Sequence, residues 1–142
     1  MARVENHHNF AWKETLNGQE VMVHRKGATP AAKDVLGIIP GSMTAPGFLV
    51  RGKGEVNSIN SASHGAGRQM SRTKAIQSIN KHDMTNILKD HGVTLIGAGL
   101  DEAPMAYKDI EMVMAAQKDL VEVLARFTPN MGRMAVDGIR DD

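Results

Sequence analysis

The sequence predicts an α+β fold, in which short mixed β-strands carry glycine-rich loops and helices pack behind them. Two observations predict this class. Glycine-rich turns and short apolar segments fill the chain up to about residue 70, whereas apolar residues recur at helical spacing from Ser71 onwards. The length of 142 residues suits one domain with its own core, so we predict a single unit over residues 1–142.

Candidate strands come first along the chain. Residues 21–25 read as a short strand that ends in a turn over residues 26–30, where glycine and proline occur together. Residues 36–39 and 48–51 are two further apolar segments of strand length. Residues 57–63 are small and polar, and they predict a loop or an edge strand.

Two short helices are expected next. Ala75 and Ile79 share a face at helical spacing, which predicts a helix that begins near Ser71 with that serine as its N-cap. A second helix is expected after Asp83, with Gly92 at its C-terminal end. Residues 93–96 then predict a buried strand.

The most regular apolar pattern predicts a long helix over about residues 107–127, with Pro104 near its start. Its apolar stripe is expected to belong to the core. The members of this stripe are Ile110, Val113, Met114, Gln117, Leu120, Val121, Leu124 and Phe127.

The charges are distributed unevenly. Residues 1–81 contain eleven basic and five acidic side chains, whereas residues 82–142 contain six basic and eleven acidic ones. We therefore expect an anionic ligand for the first part, which carries the loops and strands, and mainly helical support from the second.

Composition excludes several classes of site. The chain has no cysteine, which rules out disulfides, thiolate metal sites and a cysteine nucleophile, so a metal would rely on His, carboxylate or backbone oxygen. The longest apolar segment, residues 93–100, is far shorter than the ~20 residues of a membrane span. The N-terminal residues lack the apolar region of a signal peptide, so we expect a cytoplasmic protein without membrane association.

His64 is the strongest candidate for chemistry, because it is the only nucleophile with a titrating side chain in the small-residue loop 63–68. Gly65 and Gly67 permit close approach of a ligand to the backbone, and Arg68 and Arg72 add positive charge nearby. A glycine-rich turn before a helix explains the same residues equally well.

The remaining motifs are weaker. Adjacent residues of a strand point to opposite faces, so at most one of His7 and His8 would face a given site. The loop 40–43 is either a tight turn or a nucleotide contact, and His24 is either an anion contact or a half-buried strand residue. Arg25 and Lys26 form a basic tip suited to a phosphate backbone, although such tips are usually only solvated.

Several short segments occur together in one order: residues 8–9 (His-Asn), 24–29 (His-Arg-Lys-Gly-Ala-Thr), 37–43 (Gly-Ile-Ile-Pro-Gly-Ser-Met), 63–68 (Ser-His-Gly-Ala-Gly-Arg), 70–72 (Met-Ser-Arg), 101–104 (Asp-Glu-Ala-Pro) and 106–109 (Ala-Tyr-Lys-Asp). This set resembles the RtcB family of RNA ligases over about residues 4–127. Several blocks in register are more specific than any single loop.

The resemblance implies a GTP- and manganese-dependent ligase that joins an RNA 3′-phosphate or 2′,3′-cyclic phosphate to a 5′-hydroxyl, in tRNA splicing or RNA repair. His64 would be the histidine that attacks the α-phosphate of GTP, and His8 would be a manganese ligand. The residues that would contact the nucleotide are His8, Asn9, Pro40, Gly41, Ser42, Met43, Gly47, His64, Gly65, Ala66 and Gly67. The expected RNA or phosphate contacts are Arg25, Lys26, Arg68 and Arg72.

The chain also departs from the family. The family's other manganese ligands, including a Cys, an Asp and two His, lie in the N-terminal part of a longer chain, so a separate N-terminal portion or an activator is expected as a partner. Gly47 stands where many members place a GTP-contacting serine and could offer its backbone only. Asp137 lies near the place of a lysine that the family puts at the guanine. Two alternatives remain: a non-catalytic GTP- or RNA-binding fragment, and an inactive truncated product that associates through exposed apolar surface.

Overall fold

The computed structural model describes residues 3–134, which form nine short strands and three α-helices. The strands are β1 (Asn9–Leu16), β2 (Gln19–Lys26), β3 (Ala28–Pro30), β4 (Leu36–Ile39), β5 (Gly47–Gly52), β6 (Ser61–Ser63), β7 (Thr94–Gly97), β8 (Val121–Phe127) and β9 (Met131–Arg133). The helices are α1 (Arg72–Ser78), α2 (Lys81–Asp90) and α3 (Ile110–Ala116). These elements confirm the predicted α+β class.

Strands β1 and β2 form an antiparallel hairpin closed by Asn17 and Gly18. Both turn residues have positive φ angles, 51° and 78°, as a type I′ turn requires. The hairpin begins directly after His8 and ends at Lys26, and the carbonyl of the next residue, Gly27, accepts from the His64 amide.

The central sheet has the order β4-β5-β8, and β3 pairs with β6 next to it. One face of this sheet packs against α3 through Ile39, Val50, Ile110 and Met114, which are buried. Strand β6 also contributes Ala62 to this core, so its last residues are fixed. His64 follows directly.

Helices α1 and α2 pack in a second core. Ser71 caps α1 by accepting a hydrogen bond from the Lys74 amide (3.2 Å), and Asn80 caps α2 by accepting from the Asp83 amide (2.8 Å). The predicted start and cap of the first helix are therefore confirmed, whereas the second helix begins at Lys81, ahead of Asp83. The buried members of this second core are Met43, Ala75, Ile79, Met84, Leu88, Val93, Ala103 and Ala106.

The predicted long helix over residues 107–127 is wrong. The α-helix covers only Ile110–Ala116, and Val121–Phe127 form strand β8. In the second segment Val121, Val123, Ala125 and Phe127 also alternate with period two, and all pair with residues of β5, with a shift of register between Leu49 and Val50. Pairing with the central strand decides between the two patterns, because β5 would otherwise leave its backbone groups on that side unpaired.

Three smaller corrections concern strands. The turn over residues 26–30 is limited to Gly27, and residues 28–30 form β3. Residues 57–63 divide into a short 3₁₀-helix (Val56–Ser58) and β6. Strand β7 begins at Thr94 and is not buried, since Ile96 is 61% exposed in a two-stranded sheet with β9. Among residues 3–134, no helix is both long and apolar enough to span a membrane.

Candidate functional site

His64, which directly follows β6, lies at a pocket that it shares with the segment before β1 and the end of β4. Its backbone amide donates to the Gly27 carbonyl (3.4 Å), and its ring meets the His8 ring edge-on with 4.7 Å between centroids. The imidazole is partly exposed. We call this cavity of about 290 Å³ the His64 pocket; it is lined by Asn6, His7, His8, Ile38, Pro40 and His64.

A second cavity of about 240 Å³ adjoins the His64 pocket, because Pro40 lines both. Gly41, Ser42 and Gly47 also line it. A side chain at position 41 would collide with the Pro46 carbonyl, so the tight path of this loop requires glycine. The two cavities thus meet at Pro40, with His64 at the first and Gly41, Ser42 and Gly47 at the second.

The members of these loops have different surroundings. The side chains of Met43 and Ala66 are buried in the two cores, so they have little surface to offer to a nucleotide. The Ser42 hydroxyl accepts from the Ala45 amide (3.3 Å). The carbonyls of Gly65 and Gly67 accept from the Ser63 hydroxyl and the Lys108 amide, respectively. Gly67 has a φ angle of +72°, a conformation that other residues adopt with strain.

The hairpin brings Asn9 and His24 together. The Asn9 side-chain oxygen lies 2.6 Å from Nε2 of His24, and both residues are exposed. Lys26 pairs in register with Asn9 and is also exposed, next to the turn that contacts His64. His24 therefore supports Asn9 on the open face of the hairpin.

Arg25 does not fit its predicted role as a phosphate contact. The residue is only 3% exposed, and its guanidinium forms an ion pair with Glu14. It also donates to the Ser61 hydroxyl (2.7 Å) and the Ile59 carbonyl (3.0 Å). The strand alternation that leaves Lys26 in solvent turns Arg25 inward, where it holds the chain that leads into β6.

Arg68 and Arg72 belong to an arginine–carboxylate cluster, which we define as these two residues with Asp101, Glu102 and Tyr107. Arg72 forms ion pairs with both carboxylates, and Arg68 lies 3.6 Å from Glu102 with its guanidinium over the Tyr107 ring. Asp101 and Glu102 are buried, whereas the Arg72 side chain is 61% exposed. Arg72 is therefore the cation that the cluster presents to solvent.

The cluster shifts two pKa values. Hydrogen bonds to Glu102 and Asp101 raise the pKa of Arg72 above its ordinary value, so the guanidinium retains its positive charge. Burial, assisted by the hydrogen bond that the hydroxyl donates to Glu102, raises the pKa of Tyr107 to about 12.

The sequence did not indicate a role for Gln117, which belongs to the apolar stripe of the predicted helix. Its side-chain oxygen accepts from the Ser63 amide (2.9 Å), directly before His64. A polar residue within an otherwise apolar stripe is a signal that could have singled it out.

The residues described here do not form a complete manganese site. Within residues 3–134, no group of three or more His, Asp or Glu side chains is arranged to hold a metal ion. The buried carboxylates Asp101 and Glu102 are engaged by arginine, and the role of His8 as a manganese ligand stays a prediction. Asp137, at the expected guanine position, lies outside the described residues.

The geometry defines an α+β chain in which a glycine-rich loop carries His64 against the edge of a second imidazole, and in which two arginines are held by buried carboxylates. Residues 1–133 match the family model described as tRNA-splicing ligase RtcB. The chain therefore belongs to the RtcB family.

Individual relatives agree with this assignment. The chain is 49% identical over 124 residues to the RNA-splicing ligase RtcB of Escherichia coli K12, covering 87% of this chain and 30% of that protein. It is 36% identical over 147 residues to the tRNA-splicing ligase RtcB of Nanoarchaeum equitans (86% and 31%), and 33% identical over 145 residues to the RNA-splicing ligase RtcB of Mycobacterium tuberculosis (86% and 34%). The chain thus spans about a third of the length of these relatives.

Proposed function

We propose that this chain provides the nucleophile and part of the nucleotide site of an RtcB-type RNA ligase. The ligase joins an RNA 3′-phosphate or 2′,3′-cyclic phosphate to a 5′-hydroxyl in tRNA splicing or RNA repair, in the cytoplasm. The observation that carries the proposal is the position of His64, a partly exposed imidazole at a pocket beside the Pro40 loop, in a member of the RtcB family.

The proposed reaction begins when a ring nitrogen of His64 attacks the α-phosphorus of GTP. A phosphorus–nitrogen bond forms, the bond from the α-phosphorus to the bridging oxygen breaks, and pyrophosphate leaves, giving GMP-histidine. An oxygen of the RNA 3′-phosphate then displaces the imidazole from the GMP phosphorus. Finally the 5′-hydroxyl attacks the 3′-phosphate, loses its proton and releases GMP.

The chain's own residues contribute binding and orientation to these steps. The loops of Gly41 and Gly65 would offer main-chain groups to the guanylate, and Ser42 and Asn9 would offer polar side chains. Lys26 and Arg72 are exposed cations suited to RNA phosphates, and Arg68 shares the carboxylate of Glu102 with Arg72.

Other parts of the site would come from outside these residues. We expect an N-terminal portion like that of the longer relatives to supply the remaining manganese ligands around His8. Because residues 3–134 do not provide a complete set of manganese ligands, we assign the metal no step in the reaction at His64.

Labelling with α-³²P-GTP tests the proposal. The chain is mixed with the N-terminal portion of an RtcB-family ligase, GTP and manganese, and covalent label is measured after denaturation. We expect His64→Ala to abolish the label and His82→Ala, on the exposed surface of α2, to retain it.

Label that survives His64→Ala would overturn the proposal. RNA binding that weakens with salt but is accompanied by no label under any condition would instead favour the alternative of a GTP- or RNA-binding fragment.

A further inference from the structure

Gln117 is a buried polar residue that connects the helix–strand junction of α3 and β8 with the loop of His64. It is 5% exposed and lies beside the apolar core of the central sheet. Its side-chain oxygen accepts from the Ser63 amide (2.9 Å), and its side-chain nitrogen lies 3.4 Å from the Ser63 hydroxyl. Fifty-four residues separate these partners in sequence.

The hydrogen bonds have a fixed direction. The Ser63 amide can only donate, so the atom of Gln117 that faces it must be the oxygen, and the nitrogen then donates to the Ser63 hydroxyl. The hydroxyl uses its proton to donate to the Gly65 carbonyl (2.9 Å). Gln117 therefore holds Ser63 directly and Gly65 through Ser63, and these two residues flank His64.

The main chain of Gln117 is fixed independently of its side chain. Its amide donates to the Met114 carbonyl (3.2 Å), and its own carbonyl accepts from the amides of Leu120 (2.9 Å) and Val121 (3.3 Å). Because Val121 begins the strand paired with β5, the amide group of Gln117 projects from a rigid junction.

Packing alone does not account for an amide at this position. The neighbouring buried residues Ile110, Met114 and Val121 are apolar, and an apolar side chain of similar size would continue their core. Burying an amide costs desolvation free energy unless its hydrogen bonds are made. The Gln117 oxygen bonds to the residue before His64, and the nitrogen is shared between the Ser63 hydroxyl (3.4 Å) and the Met114 sulfur (3.3 Å).

We propose that Gln117 is a positioning residue for the nucleophile, which holds the His64 ring in its pocket by fixing the backbone on both sides of it. The inference rests on the proposed role of His64 in guanylate transfer. It predicts that changes at Gln117 alter the reactivity of His64 more than they alter the fold.

The first experiment measures His64 in the chain by itself. The chain is treated with diethyl pyrocarbonate, and the modification rate of each histidine is followed by mass spectrometry, with His82 and His91 as internal references. For Gln117→Leu we expect the modification rate of His64 to rise by about threefold or more relative to these references, because loss of the anchor permits local opening of the loop.

Control variants separate positioning from a general loss of stability. Gln69→Leu removes an exposed glutamine that donates to the Met105 carbonyl, away from the His64 pocket, and Val50→Ala weakens the same core without touching Ser63. Both are expected to leave the relative His64 rate unchanged. Gln117→Glu keeps an acceptor for the Ser63 amide but loses the donor, so it should be intermediate, and it also serves if Gln117→Leu does not fold.

The second experiment measures guanylylation in the mixture with the N-terminal portion. We expect Gln117→Leu to lower the maximal labelling rate by about 100-fold, the loss associated with a displacement of roughly 1 Å at a reacting group, with little change in the GTP concentration at half-maximal rate. Gln117→Glu is expected to restore part of the rate.

The outcomes distinguish the two ideas. An unchanged His64 modification rate in both Gln117 variants, or an equal change in Val50→Ala, would overturn the positioning role. Absence of label in the unsubstituted chain, together with a selective change of the His64 rate, would reject guanylylation while supporting the anchoring of His64 by Gln117.

Discussion

The His64 pocket and the arginine–carboxylate cluster hold their functional side chains in different ways, although His64 and Arg68 are only four residues apart in sequence. His64 is held through its backbone neighbours, and its ring remains partly exposed against the His8 ring. Arg68 and Arg72 are held through their own charged groups by two buried carboxylates. The first arrangement leaves a side chain available for covalent chemistry, and the second fixes the position of a cation.

This difference changes the meaning of the charge distribution. The excess of basic residues in 1–81 predicted an anionic ligand, yet Arg25 is paired internally with Glu14. Arg68 and Arg72 are paired with carboxylates from the acidic part of the chain. Fewer cations are therefore available to an anionic ligand than the composition indicates, and Lys26 and Arg72 are the ones we propose for RNA.

Removal of the central carboxylate should break the cluster and produce the largest effect. Glu102→Ala removes the partner of both arginines and of the Tyr107 hydroxyl, and we expect it to lower the free energy of unfolding by about 3 kcal/mol. Urea denaturation measures this change.

Glu122→Ala is the matched control, since Glu122 forms an exposed pair with Arg51 at 3.7 Å, worth about 0.5 kcal/mol or less. If the two substitutions cost the same, the cluster is no more than a surface ion pair. An unchanged modification rate of His64 in Glu102→Ala would show that the two regions are independent.

Local signals explain the parts of the fold that the sequence predicts well. The predicted strand over residues 36–39 matches β4, and Ser71 caps α1 as expected, because both depend on neighbours in sequence. The Asn17-Gly18 pair is an equally local signal, and it would have indicated the β1–β2 hairpin, of which only the second strand is predicted.

Other features depend on contacts between distant residues. Residues 121–127 satisfy a helical and a strand pattern at once, and only pairing with β5 decides. Residue types and the resemblance to the RtcB family indicate His64 and its loops. The hydrogen bonds of Gln117 to Ser63 and of Arg25 to Ile59, in contrast, join segments that only the fold brings together. The functions of these anchors could not be inferred from the sequence.

Loss of the α1 cap should have a smaller effect and should again separate the two regions. Ser71→Ala removes the acceptor for the Lys74 amide, and we expect the free energy of unfolding to fall by about 1 kcal/mol. Arg72 occupies the first turn of α1, so fraying would loosen the cluster rather than the His64 pocket. Ser78→Ala, in the last turn of the same helix, is the control, and an equal loss there would contradict the capping role.

The smallest effect is expected from Tyr107 and appears only in alkali. The folded pKa of about 12 lies above the ordinary value of 10, so the protonated phenol contributes stability that is complete below pH 10 and is lost as the pH rises towards 12. The free energy of unfolding should therefore fall more steeply over this window in the unsubstituted chain than in Tyr107→Phe. Lysines titrate in both proteins, so the difference between the two curves isolates the phenol. Parallel curves would mean that folding leaves the pKa of Tyr107 unchanged, which would contradict its burial against Glu102 in the cluster.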